Sequence, residues 1–139
     1  MRRNEIDNLI RNRIKICWVV AMRAEASPII EAFKMKIFSN DLLYPVYLNQ
    51  EDGHALIISG VGATKSGAAA TFLKVFLSIQ NYAAWINVGI AGYFGSTQGQ
   101  LYQAIKVTSQ EAGNTFFPGL RFSRIIKSEV LCTVGKPQK

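Results

Sequence analysis

The segment KICWVVA, residues 15–21, is the clearest structural signal in the sequence, and the polar stretch MRAE follows it at residues 22–25. This short, continuous apolar run is rich in β-branched side chains, which is typical of a strand buried on both faces of a sheet. Similar runs lead into glycine-containing turns at His54–Gly60 and Ala83–Val88. Between them, Ala63–Gln80 spaces its large apolar residues like a helix. Strands alternating with helices predict an α/β layered domain with a largely parallel or mixed sheet.

Turn and cap residues predict the remaining elements. Ser27 and Pro28 suit the cap and first position of a helix whose apolar face extends to Ile37. Tyr44–Asn49 and the strand that begins at His54 flank a turn, which predicts a hairpin or two adjacent strands. Two further strands are expected on either side of a loop: Leu101–Thr108 and Glu129–Val134, with the loop at Gly113–Leu120.

The 139 residues suit one domain with a real core, because 49% of them are hydrophobic and the mean hydropathy is +0.12. The net charge of +7 comes from the two ends of the sequence. Residues 1–15 carry five basic and two acidic side chains, residues 121–139 carry five and one, and the middle is neutral. We therefore expect a basic leader at 1–14, with an amphipathic helix within 4–13, and a domain at 15–139. Since no aromatic-interleaved basic motif is present, no nucleic-acid partner is expected.

Hydrophobic patterning and cysteine usage indicate the cellular compartment. No apolar run approaches the roughly 18 residues that a transmembrane helix needs, and no secretory signal is recognisable. Cys17 and Cys132 lie in apolar stretches. They are interpreted as buried, reduced thiols of a cytoplasmic protein, with a disulfide or a metal site as the alternative. No residue spacing suggests a metal site, and no cofactor is expected.

Three loops follow predicted strands: Ala21–Glu25, Ser59–Ala63 and Gly89–Gly95. In open α/β sheets, ligands bind at the carboxyl ends of the strands, so these loops are the candidate site. The sequence Gly60-Val-Gly62 opens the second predicted helix, but Lys65 stands where the dinucleotide fingerprint needs glycine. The phosphate-loop motif fails as well, at Ser59 and Thr64. The glycines then either let the backbone approach a ligand or simply form a tight turn.

Single residues give weaker indications. Glu25 is either a general base or an ordinary first-turn glutamate favoured by the helix dipole. His54 has no partner constellation in sequence and is interpreted as a surface or edge residue. Trp18 and Trp85 lie within apolar strands and are expected in the core. The loop Phe116–Pro118 either stacks on a base or packs onto the core.

Taken together, Val19–Glu25, Ile57–Gly62 and Ile86–Gly92 resemble the nucleoside phosphorylase superfamily. The match is closest to the nucleosidase branch, which includes 5′-methylthioadenosine/S-adenosylhomocysteine nucleosidases and futalosine hydrolases. The resemblance covers roughly residues 15–137. It implies a three-layer α/β/α sandwich with a mixed central sheet, and cleavage of the N-glycosidic bond of a purine nucleoside.

By position, the resemblance implies that Glu25 helps activate the attacking water, that Met22 packs near the ribose, and that Ala91 and Gly92 lie beside the base. The expected substrate-binding set is completed by four further residues: Gly60, Gly62, Gly89 and Ile90. Phosphorylases of the superfamily use an arginine at the position of Asn87 and a serine at that of Ile90 to bind phosphate. Hydrolysis is therefore favoured over phosphorolysis.

Family members are considerably longer, and their later half supplies the ribose clamp and the aspartate that protonates the purine. The chain thus resembles an amino-terminal part, and on its own we expect it to be weakly active or inactive. We also expect a homo-oligomer, because an incomplete domain leaves apolar surface exposed. The alternative is a catalytically inactive or split member that acts as a binding or oligomerisation module.

Overall fold

A computed structural model of the chain describes residues 14–39, 43–93, 98–122 and 124–135. The helix predicted within residues 4–13 lies outside the described residues. The chain divides into two compact units, Met1–Ala91 and Gly92–Lys139. Among the described residues, no helix combines the length and apolar character needed to cross a membrane.

The described part of the first unit is a five-stranded mixed sheet with two helices. Its strands follow the order β2-β3-β4-β1-β5 across the sheet. The elements are β1 (Ile16–Val20), α1 (Arg23–Ala32), β2 (Lys36–Ser39), β3 (Val46–Asn49), β4 (His54–Ile58), α2 (Ala63–Phe76) and β5 (Ala84–Val88). The apolar run of residues 15–21 therefore forms the strand between β4 and β5, and it is parallel to both. The strands β3 and β4 form the predicted antiparallel hairpin.

The two faces of this sheet are covered by different helices. Alternate residues of β1 point to opposite faces, so Cys17 packs in one cluster and Val20 in the other. Leu73 of α2 belongs to the cluster around Cys17, whereas Ala26 of α1 belongs to the cluster around Val20. The unit is therefore layered as helix, mixed sheet, helix, which is the α/β/α arrangement expected from the sequence.

The first helix begins earlier and ends earlier than predicted. It starts at Arg23, and Ser27 lies inside it, where its hydroxyl donates to the Arg23 carbonyl at 2.9 Å instead of capping. Pro28 is also interior, and it removes a single backbone donor. The helix ends because Lys34 adopts the left-handed conformation with a φ of 48° and closes a Schellman motif. Ile37 consequently lies in β2 and not on the helix.

The second helix ends by the same device. Ser78 has a φ of 49°, and the Ile79 N–H donates to the Lys74 carbonyl at 2.9 Å. This hydrogen bond, together with that from Ser78 to Val75, completes a second Schellman motif. The helix therefore stops at Phe76 and not at Gln80.

The second unit contains a three-stranded sheet of order β7-β6-β8. Its strands are β6 (Tyr102–Ser109), β7 (Thr115–Phe116) and β8 (Lys127–Thr133). The strands β6 and β8, which are parallel, overlap the two strands predicted here. The short strand β7 lies within the predicted loop and is antiparallel to β6. None of the described residues of this unit is fully buried, and Phe116 and Phe117 are exposed instead of packed on a core.

Two residue assignments are only partly right. Cys17 is free and buried, as predicted, and burial raises the pKa of its thiol to about 12. Cys132 is free but exposed, so the prediction that both thiols are buried is wrong for Cys132. His54 is buried, with 7% of its surface exposed, and lies on an inner strand, so its interpretation as a surface or edge residue is wrong. The His54 ring stacks on the ring of Phe33, which is the C-cap residue of α1.

Candidate functional site

Three turns of the first unit lie side by side at the carboxyl ends of parallel strands. The last paired residue of β1, Val20, is in register with Ile58 of β4 and with Val88 of β5. The strands therefore end level with one another, and the turns that follow them emerge at the same edge. This register brings the turns after β1, β4 and β5, which the sequence indicated as the candidate site, to one edge of the sheet.

The turn after β4 is fixed to the end of β1 by main-chain hydrogen bonds. The Ser59 N–H donates to the Val20 carbonyl at 2.8 Å, and the Gly60 N–H donates to the Ala21 carbonyl at 3.0 Å. The buried Ser59 hydroxyl adds a contact to the same Val20 carbonyl. Gly60 and Gly62 have φ values of 81° and 112°, which a residue with a side chain adopts only with strain.

Glu25 joins the turn after β1 to the turn after β5. It is the third residue of α1 and is half-buried. Its Oε2 accepts from the Met22 N–H at 3.0 Å, and its Oε1 accepts from the Ile90 N–H at 3.0 Å. A Cβ on Gly89 would lie 3.5 Å from Oε1, so the carboxylate lies close to that glycine. The structure thus brings Met22, Glu25, Gly89 and Ile90 into one contact group.

Three of the side chains around this edge are apolar and exposed, while the Lys65 side chain lies beside Gly60. Met22, Val61 and Ile90 have 43%, 66% and 84% of their surface accessible. A carboxylate held at such an edge can accept a proton from a water molecule or a hydrogen bond from a ligand hydroxyl, since each oxygen retains lone pairs. Among the described residues, no three histidine, cysteine or acidic side chains are grouped as metal ligands.

The other predicted site residues are placed less directly. Gly60 and Gly62 lie in the turn after β4, on the other side of β1 from Ile90. Ala91 is exposed and follows Ile90 as the last residue of the first unit, and Gly92 begins the second unit. The part of these four residues in binding stays a prediction.

Sequence reasoning missed two features of this edge. The first is the buried hydroxyl of Ser59, whose signal was a serine directly after an apolar strand. The second is the Ile90 main-chain N–H, which Glu25 binds across 65 residues of sequence. A main-chain donor leaves no trace in the residue type, so no pattern could have predicted that contact.

The chain's α/β fold is shared by solved structures of other proteins. The chain is similar to the Helicobacter pylori 5′-methylthioadenosine/S-adenosylhomocysteine nucleosidase solved with butyl-thio-DADMe-Immucillin-A, with a TM-score of 0.67 at 18% identity. That match covers 91% of this chain and 66% of the other. The native futalosine hydrolase of the same organism gives a TM-score of 0.66 at 18% identity, covering 89% and 65%.

A third similar structure is the D198N mutant of the Helicobacter pylori nucleosidase with 5′-methylthioadenosine in its active site, with a TM-score of 0.61 at 17% identity. The chain is covered to 88% and spans 65% of that protein's length. No protein-family model matches the chain, and no curated protein sequence matches it significantly. The fold implied by the resemblance to the nucleoside phosphorylase superfamily is confirmed.

Proposed function

We propose that the protein acts on purine nucleosides and cleaves their N-glycosidic bond by hydrolysis. The observation that carries this proposal is the Glu25 carboxylate, held at the carboxyl edge of the sheet against the Ile90 N–H. The shared fold supports it, because one similar structure holds 5′-methylthioadenosine in its active site. This chain spans 65% of the length of that structure.

Hydrolysis of this bond passes through a transition state with ribosyl-cation character, which an enzyme stabilises by charge and by positioning. Glu25 accepts a proton from a water molecule as the water oxygen bonds to the anomeric carbon of the ribose. The bond between that carbon and the base nitrogen breaks, and its electron pair leaves with the base. In this proposal Met22 packs near the ribose, while Ala91 lies along the base.

Water is favoured over phosphate as the nucleophile by two residues near the end of β5. Asn87 is exposed and carries no positive charge, and Ile90 has no hydroxyl group. A phosphate dianion is typically bound by charged or hydroxyl donors, such as the fork of an arginine. Neither position supplies such a donor.

The test is base release by the purified 139-residue chain from 5′-methylthioadenosine, S-adenosylhomocysteine, inosine and futalosine, each with and without phosphate. We expect weak release that is independent of phosphate and is lost in Glu25→Ala. General base catalysis typically contributes about 10²–10⁴-fold, so the variant should fall to the buffer rate. Glu31→Gln is the matched control, because it removes a carboxylate from an exposed position of the same helix.

Other outcomes would decide against the proposal. Release that requires phosphate would contradict hydrolysis. Release that survives Glu25→Ala would remove Glu25 from the chemistry. Binding of these nucleosides with no release above buffer would favour the alternative, a binding or oligomerisation module built on the same fold.

A further inference from the structure

The turn after β5 is held to the rest of the first unit differently from the turn after β4. The β1–β5 ladder ends at the pair Val20 and Val88, so residues 89–91 lie beyond it. The Ile90 side chain is 84% exposed and contributes little burial. The Ile90 N–H is instead bound by Oε1 of Glu25. A carboxylate therefore does for this turn what main-chain hydrogen bonds do for Ser59 and Gly60.

We propose that Glu25 is also a positioning residue: its carboxylate clasps the Gly89–Ala91 turn to the start of α1 and so holds the surface on which the base rests. The two oxygens have separate partners, Met22 N–H on one loop and Ile90 N–H on the other. Both are charge-assisted hydrogen bonds, which are stronger than neutral ones. The carboxylate also lies close to Gly89, where a Cβ would be 3.5 Å from Oε1.

This role rests on the proposed function only for the identity of the ligand. The clasp itself is a property of the ligand-free protein and can be measured without turnover. Glu25→Gln is not a purely chemical change here, because glutamine has one acceptor oxygen and a nitrogen that only donates. It can keep one of the two backbone hydrogen bonds but must lose the other. Glu25→Asp keeps the charge but is one methylene too short to reach both partners.

The experiment measures amide hydrogen exchange residue by residue by NMR in the wild type and in Glu25→Gln, Glu25→Asp and Glu25→Ala. We expect the Ile90 amide to exchange roughly tenfold or more faster in Glu25→Ala, the factor associated with one hydrogen bond to a charged group. The exchange rates of the Ile90 amide in Glu25→Gln and Glu25→Asp should lie between those of the wild type and Glu25→Ala. The amides of Ser59 and Gly60 are internal controls, because main-chain carbonyls hold them. Glu31→Gln should leave all three unchanged.

A second readout separates the clasp from general base chemistry. Adenine alone is titrated into each protein by calorimetry, since it has no ribose and no bond to cleave. We expect its dissociation constant to rise several-fold in Glu25→Gln and Glu25→Ala and to stay constant in Glu31→Gln. A carboxylate that served only as a base would leave adenine affinity unchanged, and that result would contradict the positioning role.

Unchanged exchange at Ile90 in both Glu25→Gln and Glu25→Ala would overturn the clasp. If Glu25→Ala fails to fold, Glu25→Gln decides through the Met22 and Ile90 amides together, because the glutamine must release one of them. Unchanged exchange at both amides would then overturn the clasp. Failure of wild-type protein to bind adenine would count against the proposed function, while the clasp would still be judged by Ile90 exchange. The two proposals therefore fail separately.

Discussion

The indole N–H of Trp18 on β1 donates to Nδ1 of His54 on β4 at 3.1 Å. This contact requires a histidine ring that is unprotonated at Nδ1, because a protonated nitrogen cannot accept. The Phe33 ring stacks on His54 with centroids 4.4 Å apart, so the end of α1 packs on the same ring. Burial lowers the pKa of His54, and the nearby Asp52 carboxylate partly opposes that shift.

The first prediction is that folding stability decreases at mildly acidic pH. The unfolded chain takes up a proton at His54 near its ordinary pKa of 6.5, whereas the folded chain does so only at lower pH. The contribution of neutral His54 to the free energy of unfolding is therefore fully present above pH 6.5. It is lost as the pH falls through the pKa of the folded state. Urea denaturation between pH 7.5 and pH 5, followed by tryptophan fluorescence, measures this decline.

His54→Gln is the control for that titration, since His54 is the single histidine of the sequence. The variant should show a flatter stability profile over the same range. A Trp85→Phe background leaves Trp18 as the reporter. An equally steep profile in the glutamine variant would assign the pH dependence to other groups.

The second prediction concerns two glycines whose substitution should have opposite effects. Gly67 lies in the interior of α2, and a Cβ there meets no atom within 4 Å. Gly67→Ala should therefore raise the free energy of unfolding by about 0.5–1 kcal/mol, because alanine loses less backbone entropy on folding. Gly62 is equally open, but its φ is 112°. Gly62→Ala should lower stability, and denaturant titration of both variants compares the signs.

The third prediction tests the core on the α2 face of the sheet. Leu73 is fully buried in the cluster that contains Cys17. Leu73→Ala should cost about 2–5 kcal/mol, which combines lost burial and a residual cavity. Val75→Ala on the same helix serves as the control, because Val75 is 73% exposed. Similar losses from the two variants would contradict the assignment of the buried face.

The fourth prediction is a difference in thiol reactivity. Cys132 is exposed on β8, whereas Cys17 is buried and its thiol has a pKa of about 12. Because the thiolate is the reactive form, iodoacetamide at pH 8 should modify Cys132 in the folded protein and leave Cys17 intact. Peptide mass spectrometry reads the two sites separately. Modification of Cys17 only after unfolding in urea would confirm that folding protects it. Rapid labelling of Cys17 in the native protein would contradict its burial.

Sequence patterns predicted the strands of the first unit well where a segment was too short and too apolar to form anything but a buried strand. The run at residues 15–21 is too apolar for an edge strand, and β1 lies inside the sheet, between β4 and β5. Helix ends were harder, because Lys34 and Ser78 adopt left-handed conformations that glycine usually occupies. Nothing in a lysine or a serine indicates that geometry, so β2 was missed.

Candidate site residues could be predicted in part, for a related reason. The strand ends located Met22, Gly60 and Gly89 at one edge, because register in a parallel sheet follows from apolar patterning. The partner of the Glu25 carboxylate is a main-chain N–H, and its position depends on how β5 aligns with β1. The burial of His54 depended likewise on the pairing of β4 with β1, which the sequence around one histidine does not reveal.

The level ends of β4, β1 and β5 have a consequence for how this protein can diverge. Their alignment is maintained by backbone pairing, which is indifferent to the side chains that the turns display. Met22, Val61 and Ile90 can therefore be exchanged for other residues while the loops keep their spacing. A single inserted residue within β1 is different, because it would turn every inward side chain outward and shift one loop against its neighbours. The fold therefore tolerates substitution at these three exposed positions but not insertion within β1, which is consistent with a common fold at 17–18% identity.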